Sequence, residues 1–383
     1  MKILFVSECY PDKDNPQYCI YLEQQAKAIT RMGHNVDILV PKIGDSKSIM
    51  EKTVYNGINI YNVTIDRGKF SKIFPLYSLK STLNKFAWRD YDVVSMHIVS
   101  NGLCFRIGNI CKGLNVPVVN HFHGLNVWKD YYTKNDIIHR LFWLYNDIIK
   151  KYYLNSVSAV VGVSNKVCDI VKTRFKKKPI FIVYNGVDSK RFIPKTEYNK
   201  NESFTILCVA NLIKIKGHDY LLEAISKLKN EEKKVFIQLV GIGPEEERLK
   251  DKCSILGINE NVEFLGIKDY DTVAQYMKNA DMFVMPSYFE AFGCVYLEAM
   301  CCGTLTCGCF GTGADEIITD KVDGILVGQK SSEEIYNAIE FAMNNSEKIK
   351  EIAKKGIEKA KTFSWEASAD ALINVYKNIL NKR

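Results

Sequence analysis

The stretch "DMFVMPSYFEAFGCVYLEAMCCGTLTCG", residues 281–308, holds the pattern that decides the fold. An apolar run at 281–287 leads through a loop with a glycine into a helix-forming run, and a second apolar run follows at 304–308. Strand, helix and strand in this order predict neighbouring parallel strands joined by a crossover helix. Glu290 in the loop and Glu298 in the helix raise the question of whether two carboxylates reach one ligand.

The same alternation of apolar and helix-forming runs extends along the whole chain. The first set of predicted strands lies at 2–7, 36–40, 58–63, 92–98, 117–122, 159–163 and 180–184. A polar stretch at 185–203 is interpreted as a linker, and the second set lies at 204–210, 235–241, 262–266, 281–287, 304–308 and 324–327. The pattern therefore predicts an α/β protein with two doubly wound, Rossmann-like domains that face a cleft.

Composition restricts the class of protein. The chain has 383 residues, of which 47% are hydrophobic and 25% are charged, so two domains with ordinary cores are expected. Its twelve cysteines show no disulfide framework, which favours reduced thiols in the cytosol. The densest group, Cys301, Cys302, Cys307 and Cys309, has no partner cluster at zinc-ligand spacing and is interpreted as buried structural thiols.

Charge and hydropathy bear on location. The N-terminal apolar run is too short for a signal peptide, and no stretch approaches the roughly 20 apolar residues that span a bilayer. Through Thr196 the chain has 29 Lys and Arg against 15 Asp and Glu, a net charge of +14, and the remainder has 23 against 29, a net of −6. We therefore predict a cytoplasmic protein whose first half faces something anionic.

One segment of the first half carries that charge in a form typical of membrane surfaces. Residues 67–89 interleave six Lys and Arg with aromatic and leucine side chains, and 172–178 is a second basic run. Each basic residue near an anionic leaflet contributes about 1 kcal/mol, so we expect peripheral attachment to the inner face of the membrane. An amphipathic helix with a solvated charged face remains the alternative.

Notable residues stand where predicted strands end. His123 and Gly124 follow one strand of the first half, and in the second half such positions are held by 211–217, 241–244, 290–293 and 311–316. Ligands of doubly wound sheets bind at the carboxyl ends of the strands, where helix N-termini offer unpaired amides. We therefore expect these motifs to converge on one cleft.

At these residues the sequence resembles the retaining nucleotide-sugar glycosyltransferases of family 4, group 1, which have the two-domain GT-B fold. The most specific motifs are "KGHDYLLEAI" (216–225), "VGIGPEEERL" (240–249), "VEFLG" (262–266), "MPSYFEAFGCVYLEAMCCGT" (285–304) and "GADEII" (313–318). The resemblance implies an acceptor-side domain at 1–190, a donor-binding domain at 191–363, and a C-terminal helix within 364–383 that crosses back to the first domain.

The resemblance also implies roles for single residues. Glu290 would accept hydrogen bonds from the transferred sugar, Glu298 would hold the ribose hydroxyls, and Lys216 would stabilise the departing diphosphate. His123 would face the donor sugar, so Lys216, Glu290 and His123 are the candidate catalytic residues. The candidate donor site comprises Asn211, Lys216, Gly241, Leu265, Glu290, Ala291, Phe292, Gly293 and Glu298.

Two positions depart from the family pattern. Asn211 occupies the place where the family usually has an arginine, which removes one fixed cation from the diphosphate site. The loop after the first strand, "CYPDKDNPQYCIYLEQQ" (9–25), contains no glycine where many relatives have a pair. We expect Tyr18 and Cys19 to shape the acceptor side instead.

The mechanism predicted from these residues uses neither a metal nor a cofactor. No Asp-x-Asp stands at a predicted strand end, so a lysine and helix N-terminal amides would take the place of a cation. The predicted reaction moves a hexose from a nucleotide sugar, with UDP favoured, to a glycan or polyprenyl-linked acceptor of surface polysaccharide or glycoconjugate synthesis. Nucleic acid is not an expected partner.

Two other functions stay open at this point. A sugar-nucleotide epimerase of the same fold would need no acceptor, so release of nucleoside diphosphate only with acceptor present would separate it from a transferase. A non-catalytic module that binds anionic lipid or nucleic acid through its basic half would not need the motifs of the second half. A dehydrogenase is disfavoured because no G-x-G-x-x-G follows the first strand.

Membrane attachment leads to a test by charge reversal. Replacing Lys72, Lys80 and Lys85 with glutamate should release the protein from anionic vesicles and leave nucleotide affinity intact. Binding of the parent should weaken with salt, because screening shortens to about 8 Å at physiological ionic strength. Vesicle co-sedimentation across a salt series measures both effects. A triple variant that sediments like its parent would make this run an ordinary solvated segment.

Overall fold

The computed structural model describes residues 1–12, 18–44, 50–66, 83–99, 101–124, 156–174, 177–195 and 203–382. The chain divides into two compact units. The first comprises Met1–Tyr184 with Ser368–Arg383, and the second comprises Asn185–Ala367. Each unit is an α/β layer structure around its own sheet, which confirms the predicted fold class.

The first unit has an eight-stranded sheet in its described part. The strands are β1 (Lys2–Val6), β2 (Asn35–Gly44), β3 (Met50–Tyr55), β4 (Ile58–Asp66), β5 (Val93–Met96), β6 (Val118–Phe122), β7 (Ala159–Gly162) and β8 (Ile180–Ile182). Their order is β3-β4-β2-β1-β5-β6-β7-β8, and every pair except β3–β4 is parallel. The seven strands predicted for this half are all confirmed.

The centre of this sheet explains the apolar start of the chain. Ile3, Leu4, Phe5 and Val6 are fully buried in β1, which pairs with β2 on one side and β5 on the other. A central parallel strand is covered on both faces, so its sequence is continuously apolar and does not alternate.

The antiparallel edge strand β3 is the one element of this sheet that the sequence analysis missed. Five of its six residues are exposed, and its apolar residues do not alternate with its polar ones, so the strand carries no hydrophobic pattern. β3 turns into β4 through Asn56 and Gly57, whose φ angles are 49° and 82°. Two successive positive φ values are the mark of a type I′ hairpin turn, for which Asn-Gly is the preferred pair.

Four of the described helices belong to the first unit wholly or in part. They are α1 (Ile20–Arg31), α2 (Asn101–Gly113), α3 (Asn165–Arg174) and, from Ser368 onward, α10 (Trp365–Leu380). Within this unit, Gln25 Nε2 donates to Ser368 Oγ over 3.1 Å, and Tyr376 Oη donates to Ser95 Oγ over 2.7 Å. The end of the chain is therefore part of the first unit's core.

The second unit has a six-stranded sheet that is parallel throughout. Its strands are β9 (Phe204–Val209), β10 (Val235–Val240), β11 (Val262–Gly266), β12 (Met282–Val284), β13 (Leu305–Cys309) and β14 (Ile325–Val327), in the order β11-β10-β9-β12-β13-β14. The helices are α4 (His218–Asn230), α5 (Glu246–Leu256), α6 (Tyr270–Asn279), α7 (Cys294–Cys301), α8 (Ser332–Asn344) and α9 (Ser346–Lys361). All six strands predicted for this half are confirmed.

Part of the stretch interpreted as a linker is packed into the second unit. Val187 N donates to Phe363 O over 2.8 Å, and the side chains of Val187 and Phe192 are buried. A Cβ on Gly186 would lie 2.5 Å from Trp365 N, so the backbones touch there. The linker interpretation is therefore wrong for residues 185–192, whose apolar side chains are too widely spaced to give a periodic signal.

The proposed membrane-binding run is only partly described. Residues 67–82, including Lys72 and Lys80, lie outside the described residues. At the end of the run Leu83, Phe86 and Trp88 are buried in the first unit, whereas Lys85 is exposed. These three apolar side chains are core residues and not a membrane-facing surface. Within the described ranges, the helices lack the combination of length and apolarity that crossing a bilayer requires.

The packing of α10 leads to a stability prediction. Leu372 is fully buried on this helix, and Lys377 is exposed on it. Leu372→Ala should destabilise the first unit by about 2–5 kcal/mol, because the cavity adds to the lost burial. Lys377→Ala is the matched control and should change stability by no more than about 0.5 kcal/mol. Urea unfolding of both variants measures the difference, and equal midpoints would contradict this placement of the helix.

Candidate functional site

The loop after β9 places a lysine at the start of α4. Residues Lys214–Lys216 form a single 3₁₀ turn, and Gly217 ends that turn and precedes α4. Gly217 has a φ of 74°, and a Cβ there would lie 2.2 Å from Pro286 O. Only glycine satisfies both conditions, so Gly217 is required for this loop to meet the loop after β12.

The loops after β9 and β12 are joined along their backbones. Tyr288 N donates to Ile215 O over 3.0 Å, next to the contact between Gly217 and Pro286. The loop after β13 joins them, because Gly313 N donates to Glu290 O over 2.9 Å. Three of the predicted strand-end motifs therefore meet within the second unit.

Lys216 and Glu290 form an ion pair at this junction. Lys216 Nζ lies 2.6 Å from Glu290 Oε2, and only 17% and 12% of the two side chains are exposed. The other carboxylate oxygen, Oε1, accepts a hydrogen bond from Ala291 N over 3.1 Å. A cation and an anion held side by side at strand ends can bind a phosphate and a hydroxyl of the same ligand.

The loop after β10 completes this edge of the sheet. Gly241 has a φ of 138°, and a Cβ there would lie 2.0 Å from Ala210 O, so glycine is required for the loops after β9 and β10 to touch. Gly241 N donates to Gly266 O over 2.9 Å, which brings the end of β11, with the half-buried Leu265, to the same edge. The side chain of Asn211 is exposed beside Ala210.

Phe292 and Gly293 contribute through their backbones. The ring of Phe292 is 2% exposed and packs at 6.0 Å from the ring of Phe363, so its side chain belongs to the core. Gly293 is the residue before α7. Amides at that helix N-terminus remain the groups that a ligand could meet.

Glu298 lies on α7 and is surrounded by side chains other than those of the Lys216–Glu290 pair. It is 6% exposed and accepts a hydrogen bond from the hydroxyl of Tyr270, the first residue of α6. The guanidinium of Arg191 lies 5.0 Å from the centre of the Tyr270 ring and pairs with Asp271 at 3.2 Å. Phe192 packs edge-on against Tyr270 at 5.1 Å.

Burial sets the protonation of this carboxyl group. Removal from water raises the pKa of Glu298 from 4.5 to about 7, although the Tyr270 hydrogen bond and the charge of Arg191 lower the pKa in part. The pKa of Tyr270 is raised as well, because burial and the Glu298 charge hold it well above its usual range, so the phenol keeps its proton. A ligand that donates two hydroxyl hydrogens to Glu298 would favour its ionised form.

Tyr270 and Arg191 were missed by the sequence analysis. Arg191 lies in the stretch interpreted as a linker, and Tyr270 stands at a helix start that carried no motif. The available signal in the sequence was Asp269, because aspartate is a preferred N-cap and would place Tyr270 in the first turn of a helix. In the structure Asp269 is this N-cap and accepts a hydrogen bond from Thr272 N over 2.8 Å.

His123 belongs to the first unit, at the end of β6, where it is part of a histidine cluster. His97 Nδ1 lies 2.9 Å from His123 Nε2, and the rings of His97 and His121 stack at 4.1 Å. His121 Nε2 bonds to Ser95 Oγ over 2.7 Å. Burial lowers the pKa of His123 to about 3 and the pKa values of His97 and His121 well below the usual range, so all three rings are neutral near neutral pH.

This cluster is the one group among the described residues that could hold a metal ion. Its candidate ligand atoms lie within 4.8 Å of one another. The rings are nearly parallel, with interplanar angles of 12° to 22°, and two of the nitrogens already face each other. Lone pairs in parallel ring planes do not converge on one point, so the geometry favours a hydrogen-bonded cluster.

The four cysteines at 301–309 are buried and free, as predicted.

Comparisons with known proteins agree across the chain. The family profile "Glycosyl transferases group 1" matches residues 189–378, and "Glycosyltransferase Family 4" matches residues 20–191. An uncharacterised glycosyltransferase of Methanocaldococcus jannaschii is 28% identical, with 98% of both chains covered. A D-inositol 3-phosphate glycosyltransferase of Corynebacterium aurimucosum is 22% identical over 94% of this chain and 91% of its own.

Solved structures show the same fold at lower identity. Sucrose-phosphate synthase from Thermosynechococcus elongatus matches with a TM-score of 0.76 and 20% identity, with both chains fully covered. The Anabaena protein HepE in complex with UDP matches with a TM-score of 0.73 and 19% identity over 99% of this chain and 100% of its own. These likenesses show the GT-B fold and nothing more.

The raised pKa of Glu298 leads to a prediction about stability and pH. The carboxyl group binds its proton more tightly in the folded state, so its stabilising contribution is present below pH 4.5 and is lost as pH rises through about 7. Glu298→Gln keeps the neutral form at every pH. Between pH 4.5 and 8 the free energy of unfolding of the parent should fall by up to about 3 kcal/mol relative to this variant.

Urea unfolding of the ligand-free protein at several pH values measures this difference. The matched control is Glu247→Gln, because the side chain of Glu247 is 86% exposed. The control should follow the parent at every pH. If Glu298→Gln also follows the parent, then Glu298 titrates normally and is not buried as described.

Proposed function

Since the chain belongs to the group 1 glycosyltransferases of family 4 and uses a nucleotide-sugar donor, we propose that it is a retaining, metal-independent hexosyltransferase. The proposed donor is a UDP-sugar, and the proposed acceptor is a glycan or a polyprenyl-linked glycan of surface polysaccharide or glycoconjugate synthesis. Structures of HepE with UDP and with UDP-glucose support this choice of nucleotide by analogy of fold alone.

The observation that carries the proposal is the Lys216–Glu290 pair. Its two charges are 2.6 Å apart at the edge where four strand-end loops meet. In the proposed complex the donor's diphosphate approaches Lys216, and the sugar hydroxyls donate to Glu290. The ribose hydroxyls donate to Glu298 and displace the phenol of Tyr270, which occupies that carboxylate in the ligand-free protein.

The proposed reaction is a front-face displacement. The acceptor hydroxyl attacks the anomeric carbon on the side of the leaving group, and the bond from that carbon to the phosphate oxygen breaks. The departing phosphate oxygen takes the acceptor's proton, so the products are the new glycoside and a nucleoside diphosphate. Lys216 stabilises the charge that develops on the diphosphate, and positioning supplies much of the remaining acceleration.

His123 is proposed to contact the transferred sugar as a neutral residue. Its ring is uncharged near neutral pH because burial lowers its pKa to about 3, so it has one donor and one acceptor nitrogen for hydrogen bonds.

Cytoplasmic location and attachment to the inner face of the membrane remain part of the proposal. The cytoplasmic location is supported by twelve cysteines without a disulfide framework. The attachment is supported by the net charge of +14 through Thr196 and the basic run at 172–178.

The test compares two neighbouring lysines. Lys216→Ala should lower the release of nucleoside diphosphate by about 10²–10³-fold, because one fixed charge that stabilises the leaving group is lost. Lys214→Ala is the matched control, since Lys214 is exposed two residues earlier in the same turn. A panel of UDP-, GDP- and ADP-sugars screened by thermal shift first identifies the donor.

Three outcomes would contradict separate parts of the proposal. Equal losses in the two lysine variants would remove Lys216 from the diphosphate site. Release of nucleoside diphosphate at the same rate without acceptor would favour the epimerase or a hydrolase over a transferase. Complete loss of activity with EDTA, restored by magnesium or manganese, would exclude the metal-independent mechanism.

A further inference from the structure

The two oxygens of the Glu298 carboxyl group differ in their hydrogen bonds. Oε1 accepts the hydroxyl of Tyr270, and no described residue donates a hydrogen bond to Oε2. Only 6% of Glu298 is exposed, so there is little room for a second donor beside the phenol on Oε1. The ligand-free second unit therefore presents one occupied and one available acceptor oxygen.

The ring of Tyr270 is held in place by the segment that ends the junction between the units. The guanidinium of Arg191 lies 5.0 Å from the ring centre, and the ring of Phe192 packs edge-on at 5.1 Å. Arg191 is in turn paired at 3.2 Å with Asp271, the residue after Tyr270. Moving the phenol away from Glu298 therefore disturbs the packing of the ring and also breaks its hydrogen bond.

The phenol of Tyr270 offers Glu298 the same kind of bond as a sugar hydroxyl does. Each donates one hydrogen to one carboxylate oxygen. A pair of neighbouring hydroxyls on a sugar needs both oxygens, so one of the two hydroxyls has to replace the phenol. One hydrogen bond is then exchanged for another of the same type, and the second hydroxyl adds little to the affinity.

We propose that Tyr270 is a specificity-determining residue, through which the donor site accepts 2′-deoxyribonucleoside diphosphate sugars nearly as well as the corresponding ribonucleoside diphosphate sugars. This inference rests on the proposed function, in which Glu298 binds the pentose of the nucleotide. A deoxyribose has only its 3′-hydroxyl, which donates to Oε2 while Tyr270 stays on Oε1. A ribose has a second hydroxyl, which only replaces the phenol. The site therefore loses most of the preference for ribose that an unoccupied carboxylate would have.

Tyr270→Phe removes the competing hydroxyl and keeps the ring. The phenylalanine retains the edge-on contact with Phe192 and the place beside Arg191. Both oxygens of Glu298 are then available, so a ribonucleotide gains a second hydrogen bond to a charged acceptor, whereas a deoxyribonucleotide gains none. Such a bond corresponds to roughly a tenfold change in affinity.

The test measures dissociation constants by calorimetry for pairs of nucleotides that differ in one hydroxyl. The pairs are UDP with 2′-deoxyUDP, GDP with 2′-deoxyGDP, and ADP with 2′-deoxyADP, and the pair that binds most tightly is used. A pH of about 8.5 keeps Glu298 ionised, because its pKa is about 7. In the parent the two affinities should differ by less than about threefold.

The variant should restore a preference for ribose. In Tyr270→Phe the ratio of the two affinities should reach about tenfold, through tighter binding of the ribonucleotide alone. A purely structural role of Tyr270 would change both affinities together and leave their ratio as it is. Tyr276→Phe is the matched control, since this half-buried tyrosine lies on the same helix, and it should keep the ratio of the parent.

Glu298→Gln separates failure of this inference from failure of the proposed function. The amide has one acceptor oxygen and no charge, so this variant should bind both nucleotides of the pair more weakly. If it does, and the parent and Tyr270→Phe show the same ratio, then Tyr270 does not compete with ribose and the inference alone is wrong. A parent that already prefers the ribonucleotide about tenfold would overturn it in the same way. If Glu298→Gln leaves both affinities unchanged, then the pentose does not meet Glu298, and that part of the proposed function falls together with the inference. Thermal unfolding of each variant shows that it is folded before it is tested.

Discussion

The backbone contact between Gly217 and Pro286 is the constraint on which the candidate donor site depends. These residues belong to loops that follow β9 and β12, which are neighbours in the second sheet. Parallel strands end at one edge, so loops separated by about 70 residues of sequence meet there. Because a Cβ on Gly217 would lie 2.2 Å from Pro286 O, any side chain would force the loops apart and separate Lys216 from Glu290.

The same edge explains which parts of the site could be predicted from sequence. Lys216, Gly241, Glu290 and Gly293 follow apolar runs, and the end of such a run marks the place where a ligand meets a doubly wound sheet. Their convergence within the second unit was predictable from the strand pattern alone. Roles such as ribose binding by Glu298 came from a family resemblance, because spacing along a chain does not say which ligand a carboxylate meets.

Other features could not be predicted, and each has a physical reason. Tyr270 meets Glu298 from another helix, and such a contact between elements leaves no periodic signal in either segment. The contact of His97 with His123 joins two adjacent strands whose register the sequence does not state. The edge strand β3 is mostly exposed and shows no hydrophobic alternation, so only the Asn56-Gly57 turn indicated it. Residues 185–192 pack through single apolar side chains and resembled a linker.

The hydrogen bond between His97 and His123 has a consequence for what the first unit offers a ligand. Both rings are neutral, so each carries one hydrogen, and one of these two hydrogens lies between His97 Nδ1 and His123 Nε2. The outer nitrogens, His97 Nε2 and His123 Nδ1, have no partner among the described residues. One outer nitrogen must therefore carry a hydrogen and the other a lone pair. The two states exchange when the shared proton passes from one ring to the other and both rings change to the other tautomer. Neither ring then changes its charge. The pair can thus make His123 Nδ1, which is a buried atom, either a donor or an acceptor. A hydroxyl group, which is itself both donor and acceptor, fits either state, whereas an ammonium or a carboxylate fits only one.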